Sequence, residues 1–357
     1  MNKIAILYDG WTLCRSSLSS PALHLLDILA NLPDGITPHL AVPAAPPDWL
    51  PDNVTLHRID TPHTPRGRLS WEQRRLPQLA RRLAAALHLT TATAPLFGFD
   101  RTFVSPSGES PAGAGGGIWE RLRAALGRGG TARAQLVWPE DVPPPIEASG
   151  PLLLPPAVDP RFLPHNPFHP PQIAGTPELP ASFFLVHLRP DREAIRLALE
   201  AWTWASGPIG EVYPLLFPGL PESLEEYARA FGQKHHLREE TLAFYPTIRP
   251  DDLHRLYQSA SAIFYPQPSD PWHSPLRIGL ACGVPVVALE TVISGAIAGP
   301  AAYLVPSGDP RGMGSALIAV IIKDELRKQL NDAARERVNA WSMERFKQEL
   351  FEMYTKN

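Results

Sequence analysis

Only two cysteines, Cys14 and Cys282, occur in 357 residues. Far apart along the chain, they make neither a disulfide framework nor a zinc pattern, and they fit a reducing compartment. No apolar run approaches the roughly 20 residues needed to cross a bilayer, which predicts a soluble, cytoplasmic protein. The N-terminal run Asn2-Lys3-Ile4-Ala5-Ile6-Leu7-Tyr8-Asp9 is strand-like and turns polar at once, so it does not read as a signal peptide. Net charge is scant as well. Lys and Arg number 33 against 36 Asp and Glu, which gives no electrostatic case for nucleic acid. Missing too are a two-carboxylate hydrolase pattern, a G-x-S-x-G elbow and metal-ligand spacing. The sequence therefore predicts no metal and no cofactor.

Proline is what the chain has in excess. Its 42 prolines are more than twice the usual share of about 5%, and they cluster between elements as stiff loops. At this length two domains are the prior expectation.

The stretch 261–287 organises the rest. Ala262 to Tyr265 is a brief run of strand formers, and Pro266, Pro268 and Pro271 then keep the backbone extended and irregular. Ser274 followed by Pro275 is a strong helix start. Gly283 supplies the left-handed exit, and Val284 to Val287 is a buried strand. A helix N-terminus at a sheet's carboxyl edge favours an anion. Arg277 falls in the first turn, where the dipole disfavours a cation by a few tenths of a kcal/mol unless a phosphate binds. The alternative is an Arg277 that points to solvent or pairs with Asp270. His273 is either part of such a site or a loop residue with no task.

These residues resemble the donor-nucleotide segment of GT-B glycosyltransferases, glycosyltransferase family 4 in particular. Asp270 falls at the family's first glutamate, and Trp272, His273 and Ser274 fill its turn. Ala281-Cys282-Gly283-Val284-Pro285-Val286-Val287 matches the family's tail. The second glutamate, which holds the donor ribose in the family, is replaced by Ile278. Further on, Ser294 and Gly295 remain of a Gly-Gly-containing loop, with Ala296 where another glutamate is expected. In the turn after the first strand of the second half, Arg189 and Arg192 stand where the family grips the donor diphosphate. The competing reading is two surface arginines flanking an Asp191 cap.

The resemblance implies two Rossmann-like α/β domains with parallel sheets facing a central cleft. Residues 1–165 would form the acceptor-side domain, 166–180 a linker, 181–340 the donor domain and 341–357 a helix returning to the first. It also implies retaining sugar transfer from a nucleotide-sugar to an unknown acceptor, whether glycan, lipid or protein. Catalytic roles fall to Asp270, Arg189 and Arg192. Donor contacts fall to Trp272, His273, Ser274, Pro275, Leu276, Arg277, Ile278, Ser294, Gly295 and Gly10. The alternative is a degenerate GT-B protein kept as a binding or assembly subunit.

The first half follows the resemblance by order of elements only. Residues 3–8 read as a strand, and Ser20-Pro21 as a helix start whose Ala22, Leu25, Leu26 and Leu29 share one face. The loop 9–19 has the single glycine Gly10, with Arg15, Ser16, Ser17 and Ser19 as substitutes for a glycine-rich phosphate loop. Segment 71–89 reads as helical. Its Arg74, Arg75, Arg81 and Arg82 form either a solvated face or an acceptor or membrane-surface patch, and a peripheral membrane or partner-protein contact of the chain is a separate expectation. Residues 105–117 read as a loop. His24, His57, His63 and His88 have no partner visible in sequence.

Overall fold

In a computed structural model the chain is described over residues 3–14, 18–46, 49–96, 101–107, 117–145, 150–164, 173, 176–306 and 308–356. It forms two compact units. The first comprises Met1–Ala157, Asp270–His273 and Ser342–Asn357, and the second Val158–Ser269 and Ser274–Trp341. The segment from Val158 to Pro164, expected in the first domain, lies with the second. Most of the expected linker, together with Arg15, Ser16, Ser17 and residues 108–116, lies outside the described residues.

The first unit is built on a seven-stranded parallel sheet in the order β3-β2-β1-β4-β5-β6-β7. Its strands are β1 (Ile4–Asp9), β2 (Ile36–Val42), β3 (Thr55–Arg58), β4 (Ala86–Leu89), β5 (Thr102–Val104), β6 (Gln135–Pro139) and β7 (Leu152–Leu154). Its helices are α1 (Ser20–Ala30), α2 (Pro65–Ser70), α3 (Leu76–Leu83) and α4 (Ile118–Thr131). The α1 start is displaced by one residue from the expected cap: Ser19 is the cap position, with Pro21 in the first turn. Alternation along β1 sends Ile6 and Tyr8 to one apolar layer and Leu7 to the other. A sheet buried on both faces follows, as parallel sheets require.

Segment 71–89 departs from its helical expectation. Trp71–Arg75 forms one widened π turn between α2 and α3, Ala84 closes α3 in the left-handed region at φ 49°, and the remainder is β4. A four-residue strand with no Gly or Pro before it carries no signal separating it from the helix it follows.

The second unit holds a six-stranded parallel sheet in the order β10-β9-β8-β11-β12-β13. Its strands are β8 (Phe184–Leu185), β9 (Leu215–Pro218), β10 (Leu242–Tyr245), β11 (Ala262–Tyr265), β12 (Val286–Leu289) and β13 (Tyr303–Val305). Its helices are α5 (Arg192–Ile209), α6 (Glu222–Lys234), α7 (Leu253–Ser259), α8 (Pro275–Ala281), α9 (Val292–Ala298), α10 (Pro310–Ile322) and α11 (Asp324–Asn339). On one face Phe184, Phe217, Phe264 and Val287 pack with Trp202 of α5 and Leu317 of α10. On α8, a Cβ at Gly279 would meet Val286 and Ile263 side-chain carbons at 2.7 and 2.9 Å. Glycine is thus what lets α8 approach β11 and β12. The last helix, α12 (Met343–Lys356), belongs to the first unit, where its Phe346, Leu350 and Tyr354 complete a core layer.

That layer encloses a polar chain. Tyr8 and Tyr354 hydroxyls lie 3.1 Å apart, and the Tyr354 hydroxyl bonds Nδ1 of His88. Nε2 of His88 meets Ser105 Oγ at 2.8 Å, and Ser105 Oγ meets Nε2 of His24 at 3.1 Å. Burial pushes the His88 imidazole down to about 3. Between that value and an unfolded-state value of about 6.5, the unfolded chain binds a proton that the folded chain refuses. The contribution of neutral His88 to stability is therefore complete above about pH 6.5 and is lost as pH falls toward 3. The first unit should show a lower urea midpoint at pH 5 than at pH 7. His88→Gln should reduce that pH difference, and identical slopes for the two proteins would contradict the assignment.

Candidate functional site

In an open parallel sheet the order of strands reverses at one point, and a crevice opens there beyond the carboxyl ends. The second sheet reverses between β8 and β11. Their register, Ala262 with Phe184 and Ile263 with Leu185, brings the segment around His187 to Arg189 alongside Tyr265 to Gln267.

His187 is buried, with Nδ1 at 2.8 Å from the Tyr257 hydroxyl. Arg189 is half-buried. Asp191 caps α5, accepting from the Glu193 amide at 3.2 Å. Arg192 is exposed, with its guanidinium 4.4 Å over the Tyr227 ring. From the β11 side, Gln267 donates to the Tyr265 hydroxyl at 3.0 Å. Its Oε1 and the Oγ of buried Ser269 have no hydrogen-bond partner among the described residues. Left unsatisfied, each such buried oxygen costs about 1–3 kcal/mol, which makes both candidate ligand contacts.

Ser274 caps α8, its Oγ accepting from the Arg277 amide at 3.3 Å, because serine before proline starts a helix. Arg277 does not point to solvent. It is 1% exposed, and its guanidinium lies 4.7 Å over the Trp341 ring. Pro275, Leu276 and Ile278 are buried too, with Ile278 only 1% exposed.

The loop before Ser274 groups with the first unit. Asp270 is buried there. The Trp272 ring stacks on His24 of α1, centroids 4.8 Å apart and planes 14° from parallel. Nδ1 of His273 lies 2.6 Å from Asp27 Oδ2. These groups and Phe346 line a cavity of about 10 Å³, the space of a single water. The stretch that reads as one site in sequence is therefore shared between two units, and His273 has a defined partner.

Two of the expected donor contacts, Ser294 and Gly10, carry structural tasks of their own. The Ser294 hydroxyl bonds the Thr291 amide at 2.7 Å and the Leu289 carbonyl at 2.7 Å, which fixes the start of α9. At Ala296, where the resemblance expects a glutamate, the carbonyl accepts from Arg337. Gly10 is required sterically: a Cβ there would lie 2.7 Å from the Ala41 carbonyl oxygen and 2.8 Å from Val42. Gly295 faces open space.

The first sheet reverses between β1 and β4. At that point Asp9 Oδ1 accepts from the Trp11 amide at 3.0 Å and from Trp71 Nε1 at 2.8 Å. Burial raises the Asp9 carboxyl above its ordinary value, opposed by Arg68, whose Nη2 is 3.9 Å away. Burial would likewise raise Glu72, but Arg68 and Arg123 outweigh it and hold Glu72 low. Asp9 Oδ2 and the hydroxyls of Thr12, Thr91 and Ser107 are buried without a hydrogen-bond partner among the described residues. All four end or follow β1, β4 or β5. Sequence reading missed this group because its partners Arg68, Glu72 and Arg123 come from helices far along the chain. A buried carboxylate ending the first strand was its only local sign.

Solved structures similar to this one share the fold. WaaG, a glycosyltransferase involved in lipopolysaccharide biosynthesis, matches with a TM-score of 0.71 at 14% identity, covering 99% of this chain and 100% of its own. Sucrose-phosphate synthase from Thermosynechococcus elongatus matches with a TM-score of 0.72 at 14% identity, covering 99% of each chain. Anabaena HepE in complex with UDP-glucose matches with a TM-score of 0.63 at 9% identity, covering 99% of this chain and 100% of its own. No family model and no curated protein matches the sequence. The fold is GT-B: two Rossmann-like α/β units, each on its own parallel sheet.

The burial of Ile278 generates a test of the ribose-contact register. Ile278→Glu would bury a carboxyl, a change that costs about 3 kcal/mol or more when the charge is left unpaired. It should lower the denaturant midpoint of the second unit and leave nucleotide affinity no better. Unchanged stability with a tenfold gain in affinity for ribonucleotides would restore the ribose-facing reading.

Proposed function

We propose that this chain is a glycosyltransferase that moves a sugar from a nucleotide-sugar donor to an acceptor hydroxyl with retention. The observation that carries the reading is the crevice of the second sheet. There Arg189 lies across the strand-order reversal from buried Gln267 and Ser269, whose orphaned oxygens suit hydroxyl or water donors. The departing group is a nucleoside diphosphate, so the bond from the anomeric carbon to phosphate oxygen breaks with charge growing on the β-phosphate. A new bond forms from that carbon to the acceptor oxygen, whose proton leaves with the diphosphate. Fixed cations and amide dipoles stabilise such charge in a dry site. Arg189 and Arg277 are the cations assigned to it, with Asp270 near the reacting sugar and Arg192 as an outer contact. No metal or cofactor is assigned. The acceptor, whether glycan, lipid or protein, is assigned to the first unit, where Asp9, Thr12, Thr91 and Ser107 supply polar groups suited to hydroxyls.

A second reading, a GT-B protein retained for binding or assembly, is favoured by three features. Ile278 is buried, the Ser294 hydroxyl is committed to α9, and Ala296 replaces a carboxylate.

Thermal-shift titration with uridine, guanosine and adenosine diphosphates separates the readings. One of them should raise the melting temperature by mass action. Arg189→Ala and Arg277→Lys should each weaken that binding by about 1–3 kcal/mol, the scale of a charge-assisted hydrogen bond. Binding without turnover of the matching sugar nucleotides would support the second reading, and no binding of any diphosphate would contradict the first.

A further inference from the structure

The arginines of α3 take on a new setting in the folded chain. β3 is the last strand on its side of the first sheet among the described residues. Between it and α3 runs an open groove of about 830 Å³. Among its lining residues are Arg58 of β3, Arg75 just before α3, and Arg81 and Arg82 of α3, and the Asp60 carboxylate beside Arg58 offsets one of these four charges. The whole chain carries −3, so this positive charge is local. Arg58 pairs with Asp60 at 2.7 Å, and Arg75 donates to the Asp60 carbonyl at 2.7 Å and to Thr61 Oγ1 at 3.0 Å. Those two guanidinium groups are therefore held in place, and Arg81 and Arg82, like Arg58, are exposed.

The strand itself supplies a second, independent observation. The Ile59 amide donates to the Val42 carbonyl at 2.9 Å. In a parallel ladder alternate residues face the same neighbour, so Thr55 and His57 also face β2. Leu56 and Arg58 then direct their amides and carbonyls to the outer edge, and both residues are exposed. An outer strand edge is a template for another extended chain.

We propose that this groove takes an extended, acidic peptide segment of a partner protein, paired with the β3 edge and neutralised by Arg58, Arg75, Arg81 and Arg82. The edge supplies main-chain hydrogen bonds. Leu56, 43% exposed, supplies apolar contact to alternate side chains. The arginines supply selection for Asp and Glu. A concave groove favours a threaded segment over a lipid plane, which meets only what protrudes.

The test uses the full chain and a fluorescent octapeptide of alternating glutamate and valine, followed by anisotropy. Binding should weaken as salt rises. Arg81→Glu combined with Arg82→Glu should weaken it at least tenfold. Leu56→Pro removes one outward N–H without touching the β2 ladder, and it should also weaken binding at least tenfold. Thermal melting of each variant, matched to the parent, confirms that the fold is kept. Absence of binding, or binding unchanged in the double variant, overturns the proposal. So does binding that Leu56→Pro leaves intact, since charge alone would then suffice. Vesicles of anionic phospholipid serve as the competing probe. If they bind more tightly than the peptide and lose binding in the double variant, the surface is a lipid contact and the peptide proposal fails.

Discussion

The satisfaction of buried polar groups at the carboxyl ends of parallel strands is the constraint on which the rest of this structure depends. Each sheet is apolar on both faces and is closed by helices, so polar chemistry is confined to the strand ends. In the first unit the constraint is met by Trp11 and Trp71 on Asp9, and by two arginines on Glu72. In the second it is met by Tyr257 on His187 and by the Ser274 cap. Both units leave buried oxygens there without a hydrogen-bond partner among the described residues. Groups so costly to bury are placed where the fold class receives ligands.

The same constraint explains how the second half could be read. Its elements are bounded by strong local signals: Ser274-Pro275 begins α8, Asp309-Pro310 begins α10, and Gly283, at φ 67°, ends the α8 turn. Such signals act within three or four residues and survive in one sequence. The parallel two-domain architecture was legible for that reason. Helix α11 carries no start signal of this kind, because only Lys323 lies between α10 and α11. In the first half, β4 was absorbed into the preceding helix pattern, and with it His88 lost its strand context.

The candidate site was legible as a stretch of the chain and less so as a set of contacts. Ser274 and Arg277 sit where the motif puts them, but burial gives Ile278, Leu276 and Ser294 packing or capping tasks. Spacing along a short helix fixes which residues are near a site, whereas the facing of each side chain depends on partners distant along the chain. Trp341 over Arg277 and Asp27 beside His273 are two such partners. No local pattern encodes them.

Hydrogen exchange measured with and without a saturating nucleoside diphosphate tests the central claim most directly, namely that the second sheet's strand-order reversal is the donor site. The account predicts slowed exchange in residues 187–192 and 266–277, with β10 and α6 unchanged. Protection confined to the first unit, or spread evenly over both, would contradict it.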